Sequence, residues 1–391
     1  MAGPELELEF PLRWYQEGAV RFVAPLFEET DVGEPKSPSK IPVFYNPFSK
    51  PSRDMTILAV EAMGLKSVLA AEPLAGCGVR GIRLLKETTC VEGVFLNDIN
   101  SQAVKVIEYN ARHNLVVDRV RIFHLEASIF LTQHSLPEKR FQYVDIDPVG
   151  SPSRFVENGL RACATGGLLG VSATDLAPLV GRHPTTCLRK YDAQSFASDF
   201  SKELALRILA GYVVRAGMPV NIAAKPVLSF YHRHFVRVFL RVERGRGRCM
   251  RLLKGLGWVQ YCRRCRDLKT LPIHEMPERV CGLCGGKTSV AGPLWIGPLH
   301  DRNFTQSAHS RSARYPETAK ILDKIVEEVD AVGFYTVPSL ARMSNKPPPP
   351  PSKLVEKLRQ AGFQASHTHI DPEGVKTDAT PREIMASLKD M

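Results

Sequence analysis

The stretch "DIDPVGSP" at 145–152 places two carboxylates and a proline at the end of an apolar run. Side chains two residues apart share one face of a strand, so Asp145 and Asp147 are expected to point together. Pro148 has no N–H to donate and would end the strand pairing, which leaves a backbone carbonyl free. An ionised aspartate there can accept a proton from a substrate. The alternative is that both acids only cap the end of a strand.

Three further acids lie at the ends of apolar runs upstream, in "KSVLAAEP", "VFLNDIN" and "HLEAS". In an open parallel sheet, ligands bind beyond the carboxyl ends of the strands. Glu72 is placed to bind a ligand's amino group. Asp98 lies twenty residues after Gly78, where an acid accepts hydrogen bonds from ribose hydroxyls. Glu126 would accept from an adenine amine. Together these acids predict a nucleotide-containing cofactor.

The glycines of "AGCGVRG" at 75–81 lie directly after the first of these strands. Gly76 and Gly78 let the backbone approach a ligand closely, and a helix that begins near Val79 would direct its N-terminus at an anionic group. The pattern also fits the G-x-G-x-x-G fingerprint of dehydrogenases through Gly81. That fingerprint leaves the carboxylates of the fourth strand without a role. Turn glycines with solvated caps are the remaining alternative.

The elements around these residues alternate between strand and helix. Five apolar runs between 66 and 174 are separated by helical stretches that include 79–87 and 101–113, which predicts a parallel sheet with helices on both faces. After a helix near 194–216, two closely joined strands, "VNIAAKPVLSFY" and "HFVRVFLRVE", are expected to pair antiparallel. An α/β fold with a seven-stranded, Rossmann-like sheet of this kind is typical of class I S-adenosylmethionine-dependent methyltransferases.

We expect two domains. A methyltransferase domain would cover 1–299 and carry an insert at about 258–290, and a smaller α+β domain would cover 300–391. The smaller domain includes "NKPPPPP" at 345–351, which is typical of a polyproline II spacer, followed by a helix that starts near Ser352 and a "DPEG" turn.

Four cysteines in the insert have metal-ligand spacing. The two C-x-x-C pairs are separated by fifteen residues and consist of Cys262, Cys265, Cys281 and Cys284. This pattern predicts a structural zinc ribbon with four thiolate ligands and no open position for chemistry. Two disulfides and an iron–sulfur cluster are the alternatives.

The charge of the chain favours a polyanionic partner. The 391 residues carry a net charge of +11, and the segment 231–269 has twelve Lys and Arg residues against two acids. Such a strip suits phosphate contacts, although a solvated sheet edge is the alternative. The acidic N-terminus lacks a basic signal region, and Arg215 and Lys225 interrupt the longest apolar stretch, so we expect a cytoplasmic protein without a membrane span. Nothing in the sequence indicates an obligate protein partner.

The motifs, taken in order, resemble the tRNA (guanine-26-N2)-dimethyltransferases of archaea and eukaryotes. The matching stretches are "PVFYNP", "RD" at 53–54, "GVRGIR", "NDI", "DIDPVGSP", "ATDLAPLVGRHP", "CLRKY", "GPLWIGPL" and "THIDPEGVKT". The acid followed by proline also resembles the D/N-P-P-Y/F loop of enzymes that methylate exocyclic amines. The resemblance implies transfer of methyl groups from S-adenosyl-L-methionine to N2 of guanosine 26 in tRNA. One alternative is a guanine-N2 methyltransferase that acts on another tRNA position, such as 27. The other is a noncatalytic tRNA-binding or folding factor with the same fold.

The resemblance also implies roles for individual residues. Asp147 would orient and deprotonate the amine, with Pro148 and Asp145 beside it, and Phe44 would stack on the target base. The C-terminal domain would bind tRNA. The expected cofactor contacts are Arg53, Glu72, Gly76, Gly78, Arg80, Asp98, Ile99, Glu126 and Ala127.

Position 149 departs from the family pattern. Val149 occupies a position where the family usually carries an aromatic residue that would form the second face of a sandwich around the guanine. Loss of one stacking partner is expected to cost about 1–3 kcal/mol of base binding. Either Phe48 or Phe155 would substitute for the missing ring, or the pocket would be looser.

Overall fold

The structure is a computed structural model that describes residues 6, 8, 10–26, 41–344 and 347–389. The first two residues of the expected polyproline spacer, 345–346, lie outside the described residues. The chain divides into two compact units. Unit 1 comprises 1–172 and 239–243, and unit 2 comprises 173–238 and 244–391. The domain boundary expected at 299/300 remains a prediction.

Unit 1 consists mainly of alternating strands and helices. Its elements are β1 (Leu12–Glu17), β2 (Val20–Pro25), α1 (Lys50–Ala62), β3 (Val68–Glu72), α2 (Val79–Glu87), β4 (Val91–Asn97), α3 (Ser101–His113), β5 (Val120–Phe123), α4 (Ala127–Gln133), β6 (Phe141–Ile146), α5 (Val156–Ala162) and β7 (Cys163–Ala173). From β3 onward, this alternation is as the sequence predicts, and the β1–β2 hairpin and α1 precede this part without having been predicted. The side chain of Asn100 caps α3 by accepting from the amide of Gln102 at 2.9 Å. Helices α2 and α3 therefore have the predicted bounds.

The central sheet has seven strands in the order β5-β4-β3-β6-β7-β9-β8, where β8 is Ile222–His232 and β9 is Phe235–Arg244. Strands β3 to β7 pair in parallel, with Ala70 beside Tyr143 in the β3–β6 pair. The two-residue connection between β8 and β9 requires an antiparallel hairpin, because a parallel crossover needs a dozen or more residues. The predicted α/β fold with a seven-stranded sheet is confirmed.

A buried asparagine connects the β1–β2 hairpin to the loop after β3. Asn110 of α3 accepts from the amide of Val23 at 2.8 Å and donates to the carbonyl of Val23 at 3.0 Å. Its amide also donates to the carbonyl of Cys77 at 2.9 Å. Since buried amides need partners, these three bonds fix the hairpin against the glycine loop that precedes α2.

Unit 2 begins with helices and continues into two small sheets. Its remaining elements are α6 (Leu176–Leu179), α7 (Pro184–Tyr191), α8 (Ser201–Gly217), α9 (Arg246–Leu253), β10 (Leu256–Cys262), β11 (Leu268–Pro272), β12 (Thr288–Trp295), α10 (Arg302–His309), α11 (Pro316–Glu327), β13 (Tyr335–Thr336), α12 (Val337–Ser344), α13 (Pro351–Gln360), β14 (Ala365–His367), β15 (Gly374–Thr377) and α14 (Pro381–Lys389).

Helix α8 starts later than the predicted residue 194, because Gln194 instead forms a β-bridge with Gly292. The three-stranded sheets have the orders β11-β10-β12 and β13-β15-β14. The second one packs with α12, α13 and α14 around a small core that includes Leu340, Leu354 and Leu358. This agrees with the expected α+β character of the C-terminal region. Among the described residues, no helix is long and apolar enough to cross a membrane.

Candidate active site and metal centre

The predicted acids lie at one edge of the central sheet. Glu72 ends β3, Asp98 follows β4, Glu126 follows β5 and precedes α4, and Asp147 follows β6. These four strands are consecutive neighbours in the sheet and run in parallel. Because parallel strands end at the same edge, their terminal acids face one crevice at the point where the strand order reverses.

Arg80 joins the two aspartates of the "DIDP" stretch. Its guanidinium lies at the start of α2 and forms one ion pair with Asp145 and another with Asp147. The hydroxyl of Tyr143 donates to Asp145 from the same side. Asp145 is buried, whereas the side chain of Asp147 is 25% exposed. The structure thus places both carboxylates on one cation, and only Asp147 remains accessible.

The surroundings of Arg80 keep its charge. Burial alone would lower the pKa of Arg80, but Asp145 and Asp147 outweigh this effect and hold that pKa well above its usual value. One guanidinium therefore neutralises half of the charge of two carboxylates, and the group as a whole stays negative. The strand itself ends at Ile146, so Asp147 lies just beyond the last paired residue.

Gly76 forms a close approach that other residues would block. Its φ is 56°, and a Cβ at this position would lie 2.5 Å from the carbonyl oxygen of Phe44. Its amide donates to Asp98 at 2.9 Å. The loop that carries the half-buried Phe44 therefore lies against the glycine loop, beside the strand-end acids.

Asp98 is held by backbone amides at both carboxylate oxygens. Besides Gly76, the amide of Asn100 donates to it at 3.0 Å. Burial raises the pKa of Asp98, and the bonds from Asn100 and Gly76 oppose this effect. The next residue, Ile99, is 64% exposed and offers an apolar surface beside the acid. Gly78, with a φ of 75°, precedes the N-terminus of α2.

Glu126 makes local contacts in addition to any cofactor role. Its carboxylate caps α4 by accepting from the amides of Ser128 at 2.7 Å and Ile129 at 3.2 Å, and it forms an ion pair with Arg154 at 3.1 Å. Its role as an adenine contact remains a prediction. The neighbouring Ala127 is buried.

Arg53 belongs to a buried network that the sequence did not predict. It donates to Glu17 of β1 through Nε at 2.8 Å and to the carbonyl of Asn46 at 3.0 Å, and the hydroxyl of Tyr45 donates to the same glutamate at 2.9 Å. Burial would raise the pKa of Glu17, but Arg53 and Arg83 outweigh it and lower the pKa below its usual value. Arg53 thus fixes the segment next to Phe44, and its predicted cofactor contact stays a prediction.

Asn97 is a second residue that the sequence did not single out. Its buried side chain donates to the carbonyls of Pro73 at 2.9 Å and Leu125 at 3.0 Å and accepts from the amide of Leu125 at 3.0 Å. These bonds tie together the loops after β3 and β5. The signal that could have found it is a polar side chain inside the apolar run "VFLN".

The two phenylalanines expected to replace a ring at position 149 differ in their burial. Val149 is 51% exposed, as expected for a residue at the substrate side of the strand end. Phe155 is buried, and the guanidinium of Arg154 covers its ring at 4.7 Å. Phe155 is therefore not available to stack on an incoming base, whereas Phe48 is half-buried.

The four insert cysteines form one cluster. All four Sγ atoms lie within 4.8 Å of one another, with Cys262 3.5 Å from Cys284 and Cys265 3.6 Å from Cys281. These distances are too long for disulfides, whose sulfurs are about 2.05 Å apart. They agree with thiolates at about 2.3 Å from a shared zinc ion, which puts the sulfurs about 3.8 Å apart.

Each cysteine pair ends in the same backbone turn. The amide of Arg266 donates to the carbonyl of Cys262 at 2.8 Å, and that of Gly285 donates to the carbonyl of Cys281 at 2.9 Å. The first pair begins at Cys262, the last residue of β10, and the second precedes β12; these two strands are neighbours in the sheet. The predicted ligand set is brought together as a structural zinc site requires.

The residues at the carboxyl edge of the central sheet also fit the predicted nucleotide-containing cofactor. The glycine loop follows β3 at this edge of the sheet, and Asp98 offers carboxylate oxygens beside the amide of Gly76. Among the described residues, Nε of Arg80 is buried without a hydrogen-bond partner. The seven-stranded sheet and this site define a class I S-adenosylmethionine-dependent methyltransferase.

The chain belongs to the N2,N2-dimethylguanosine tRNA methyltransferase family, whose profile matches residues 18–389. The tRNA (guanine(26)-N(2))-dimethyltransferase of Methanopyrus kandleri is 37% identical over 365 residues, which cover 92% of this chain and 93% of the relative. The tRNA (guanine(26)-N(2)/guanine(27)-N(2))-dimethyltransferase of Aquifex aeolicus is 34% identical and covers 96% of this chain and 95% of its own length.

A solved structure supports the fold over the same length. The complex of Trm1 from Pyrococcus horikoshii with S-adenosyl-L-methionine superposes with a TM-score of 0.84 at 27% identity, and the match covers 96% of this chain and 99% of that one. The family resemblance seen in the sequence is therefore confirmed.

Proposed function

We propose that this protein transfers one or two methyl groups from S-adenosyl-L-methionine to the exocyclic N2 of guanosine 26 in tRNA. The observation that carries this proposal is the partly exposed Asp147, held by Arg80 at the sheet edge that also carries Asp98 and the glycine loop. The names of the relatives support the position and the substrate. The cytoplasm is the proposed compartment.

The chemistry requires a group that prepares a poor nucleophile. The lone pair of an aromatic amine is delocalised into the ring, so the nitrogen attacks weakly. Asp147 accepts a hydrogen bond from one N–H of the amine, and the backbone carbonyl at Pro148 accepts a hydrogen bond from the other. These two bonds orient the amine and let its lone pair localise on the nitrogen. S-adenosyl-L-methionine supplies an electrophilic methyl group. Asp147 takes the proton that the amine loses as the new bond forms.

Arg80 and Asp145 support this step electrostatically. Positive charge develops on N2 as it accepts the methyl group. The pair of carboxylates shares a single guanidinium, so the surroundings of the amine are net negative. Because Arg80 and Asp145 are buried, this arrangement is fixed before the substrate arrives, and no reorganisation is needed during the reaction.

The target base must be extruded to reach this site. Guanosine 26 lies within the folded tRNA, so the base leaves its stack before it enters a protein pocket. Phe44 stacks on one face of the guanine. Val149 provides only an aliphatic contact on the other side. The C-terminal residues 300–391 bind the tRNA, and the zinc site stiffens the segment from β10 to β12.

A methylation assay on defined tRNA tests the proposal. Unmodified tRNA transcripts with guanosine or adenosine at position 26 are incubated with the protein and labelled S-adenosyl-L-methionine, then digested to nucleosides. Labelled N2-methyl- or N2,N2-dimethylguanosine is expected from the first transcript alone. If neither transcript yields a methylated guanosine, the enzyme proposal fails and a tRNA-binding factor becomes the better description.

Guanosine 27 is a second candidate target. The relative from Aquifex aeolicus, 34% identical to this chain, is named for both positions 26 and 27. A transcript with adenosine at 26 and guanosine at 27 distinguishes the two. Label that persists in this transcript and disappears when position 27 is also changed would assign the second target.

A further inference from the structure

Unit 2 contains a second group of potential metal ligands. It shares no residue with the cysteine cluster and consists of histidine and glutamate side chains. His300 follows β12, Glu328 follows α11, and His369 precedes β15. One ligand atom from each of these residues lies within 4.8 Å of the others. The two imidazole rings have centroids 5.9 Å apart and are inclined by 78°. Neither the cofactor site nor the zinc ribbon uses these side chains.

Each histidine keeps one ring nitrogen free in the interior. In the described part of the chain, Nδ1 of His300 and Nε2 of His369 are buried without a hydrogen-bond partner. A neutral imidazole nitrogen without a proton is a metal ligand, and a buried one without a partner is unfavourable.

Glu328 fixes the tautomer of His369. Nδ1 of His369 lies 2.6 Å from Oε2 of Glu328, and the same oxygen accepts the backbone amide of His369 at 3.2 Å. With Nδ1 directed at the carboxylate, Nε2 is the ring nitrogen left to face a metal ion. A carboxylate that orients a histidine in this way is the usual outer partner of a zinc-binding histidine.

An open cavity reaches the cluster. It has a volume of about 340 Å³, and His300, Glu328, Lys376 and Arg207 are among its lining residues. Lys376 lies 3.1 Å from Glu328 and 3.1 Å from Glu203, and Arg207 pairs with Glu203 at 2.7 Å, so two cations balance two buried carboxylates. The cavity can supply water as further ligands.

We propose that His300 and His369 bind a divalent transition-metal ion such as zinc, with Glu328 as the orienting carboxylate and water from the cavity in the remaining positions. Because the buried charges already balance, the charge of the ion is offset by loss of a proton from metal-bound water. With two protein ligands, this site holds its ion more weakly than the four-thiolate site.

Cobalt(II) titration of the full-length protein tests the proposal. The cysteine site is first loaded with zinc, and cobalt(II) chloride is then added. Wild-type protein is expected to take up about one further equivalent of cobalt, with visible absorption that lacks the intense thiolate-to-cobalt band. His300→Gln and His369→Gln should each lose this uptake. His309→Gln, which changes an exposed histidine paired with Asp323, should keep it.

The wild-type protein alone can already contradict the proposal. Absence of cobalt uptake by zinc-loaded wild-type protein would overturn the proposal without any variant. Uptake that persists in both folded glutamine variants would overturn it as well, because the ion would then lie elsewhere. Cobalt that appears only with the thiolate band would mean that it has replaced zinc at the cysteines.

Discussion

At the scale of single residues, Asp147 carries the proposed proton transfer, and its isosteric amide is the sharpest test. Asp147→Asn keeps the size of the side chain and removes the proton acceptor. We expect methyl transfer to fall by about 10²–10⁴-fold, the usual contribution of a positioned base, while tRNA affinity stays within a few fold. Single-turnover rates and filter binding measure the two quantities. Asp118→Asn, at an exposed position, is the control, and a normal rate for Asp147→Asn would remove Asp147 from the mechanism.

Val149 is a position where the sequence resemblance predicts a departure from the family pattern, and this departure predicts a property of the product. Val149→Phe adds an aromatic face where the side chain is 51% exposed, so the base should be held more tightly, by about 1–3 kcal/mol. We expect a higher ratio of N2,N2-dimethylguanosine to N2-methylguanosine at equal enzyme and time. Val117→Phe, at a position 45% exposed, is the matched control. An unchanged ratio would mean that the second face of the base needs no ring.

At the scale of elements, the β1–β2 hairpin is fastened to α1 and α2 by Glu17, and this predicts a pH dependence. The pKa of Glu17 lies below its usual 4.5 in the folded protein, because Arg53 and Arg83 outweigh the effect of burial. A lowered folded-state pKa contributes stability that is present above pH 4.5 and is lost as the pH falls through the folded-state value. Breaking such a buried pair from one side costs about 3–5 kcal/mol.

Glu17→Gln should therefore lower the unfolding temperature most near pH 7, and the difference from wild type should narrow below about pH 4.5. Thermal unfolding followed by circular dichroism across this range measures the effect. Glu157→Gln removes an exposed pair with Arg161 and should leave the profile unchanged. A difference between Glu17→Gln and wild type that is constant with pH would contradict the ionic role of Glu17.

The cysteine ribbon is an element whose stability depends on its metal. Cys281→Ser removes one of four thiolates, so we expect zinc content to fall from about one equivalent to well below it and the unfolding temperature to drop. Elemental analysis and thermal unfolding measure both. Cys90→Ser changes a half-buried cysteine outside the cluster and should keep the metal. Full zinc content in Cys281→Ser would show that the cluster is not the site.

The elements that the sequence predicted well depend on local signals. Helices α2 and α3 have their predicted bounds because Gly78 and Asn100 mark their starts. The cysteine cluster was predictable because two C-x-x-C pairs are the usual sequence spacing of four thiolate ligands around one zinc ion. Glu17 and Asn97 were not found, because the bonds that define them join residues 36 and 28 positions apart. Such partners are set by the packing of the hairpin and loops, which no local pattern encodes.

At the scale of the whole molecule, the net charge of +11 predicts that tRNA binding is driven partly by release of counterions. The basic strip at 231–269 supplies part of this charge, but not all of its members lie at the surface. Arg237 of β9 is fully buried. Arg246, Arg248 and Arg251 of α9 are exposed. Helix α9 therefore supplies three of the exposed cations at which phosphate contacts are expected. The other exposed cations of the strip include Arg233, Arg241, Arg263, Arg264 and Lys269.

Replacing Arg246 and Arg251 together by alanine should weaken tRNA binding and flatten its dependence on salt. Each lost phosphate contact lowers the slope of log affinity against log salt by roughly 1, and methylation at saturating tRNA should be unchanged because the site itself is intact. Binding measured across a salt series gives the slope. Lys86→Ala removes one exposed cation at the end of α2, outside the strip, and is the control for net charge alone. If it flattens the slope as much as the double variant does, the charge of the whole surface rather than α9 governs tRNA affinity.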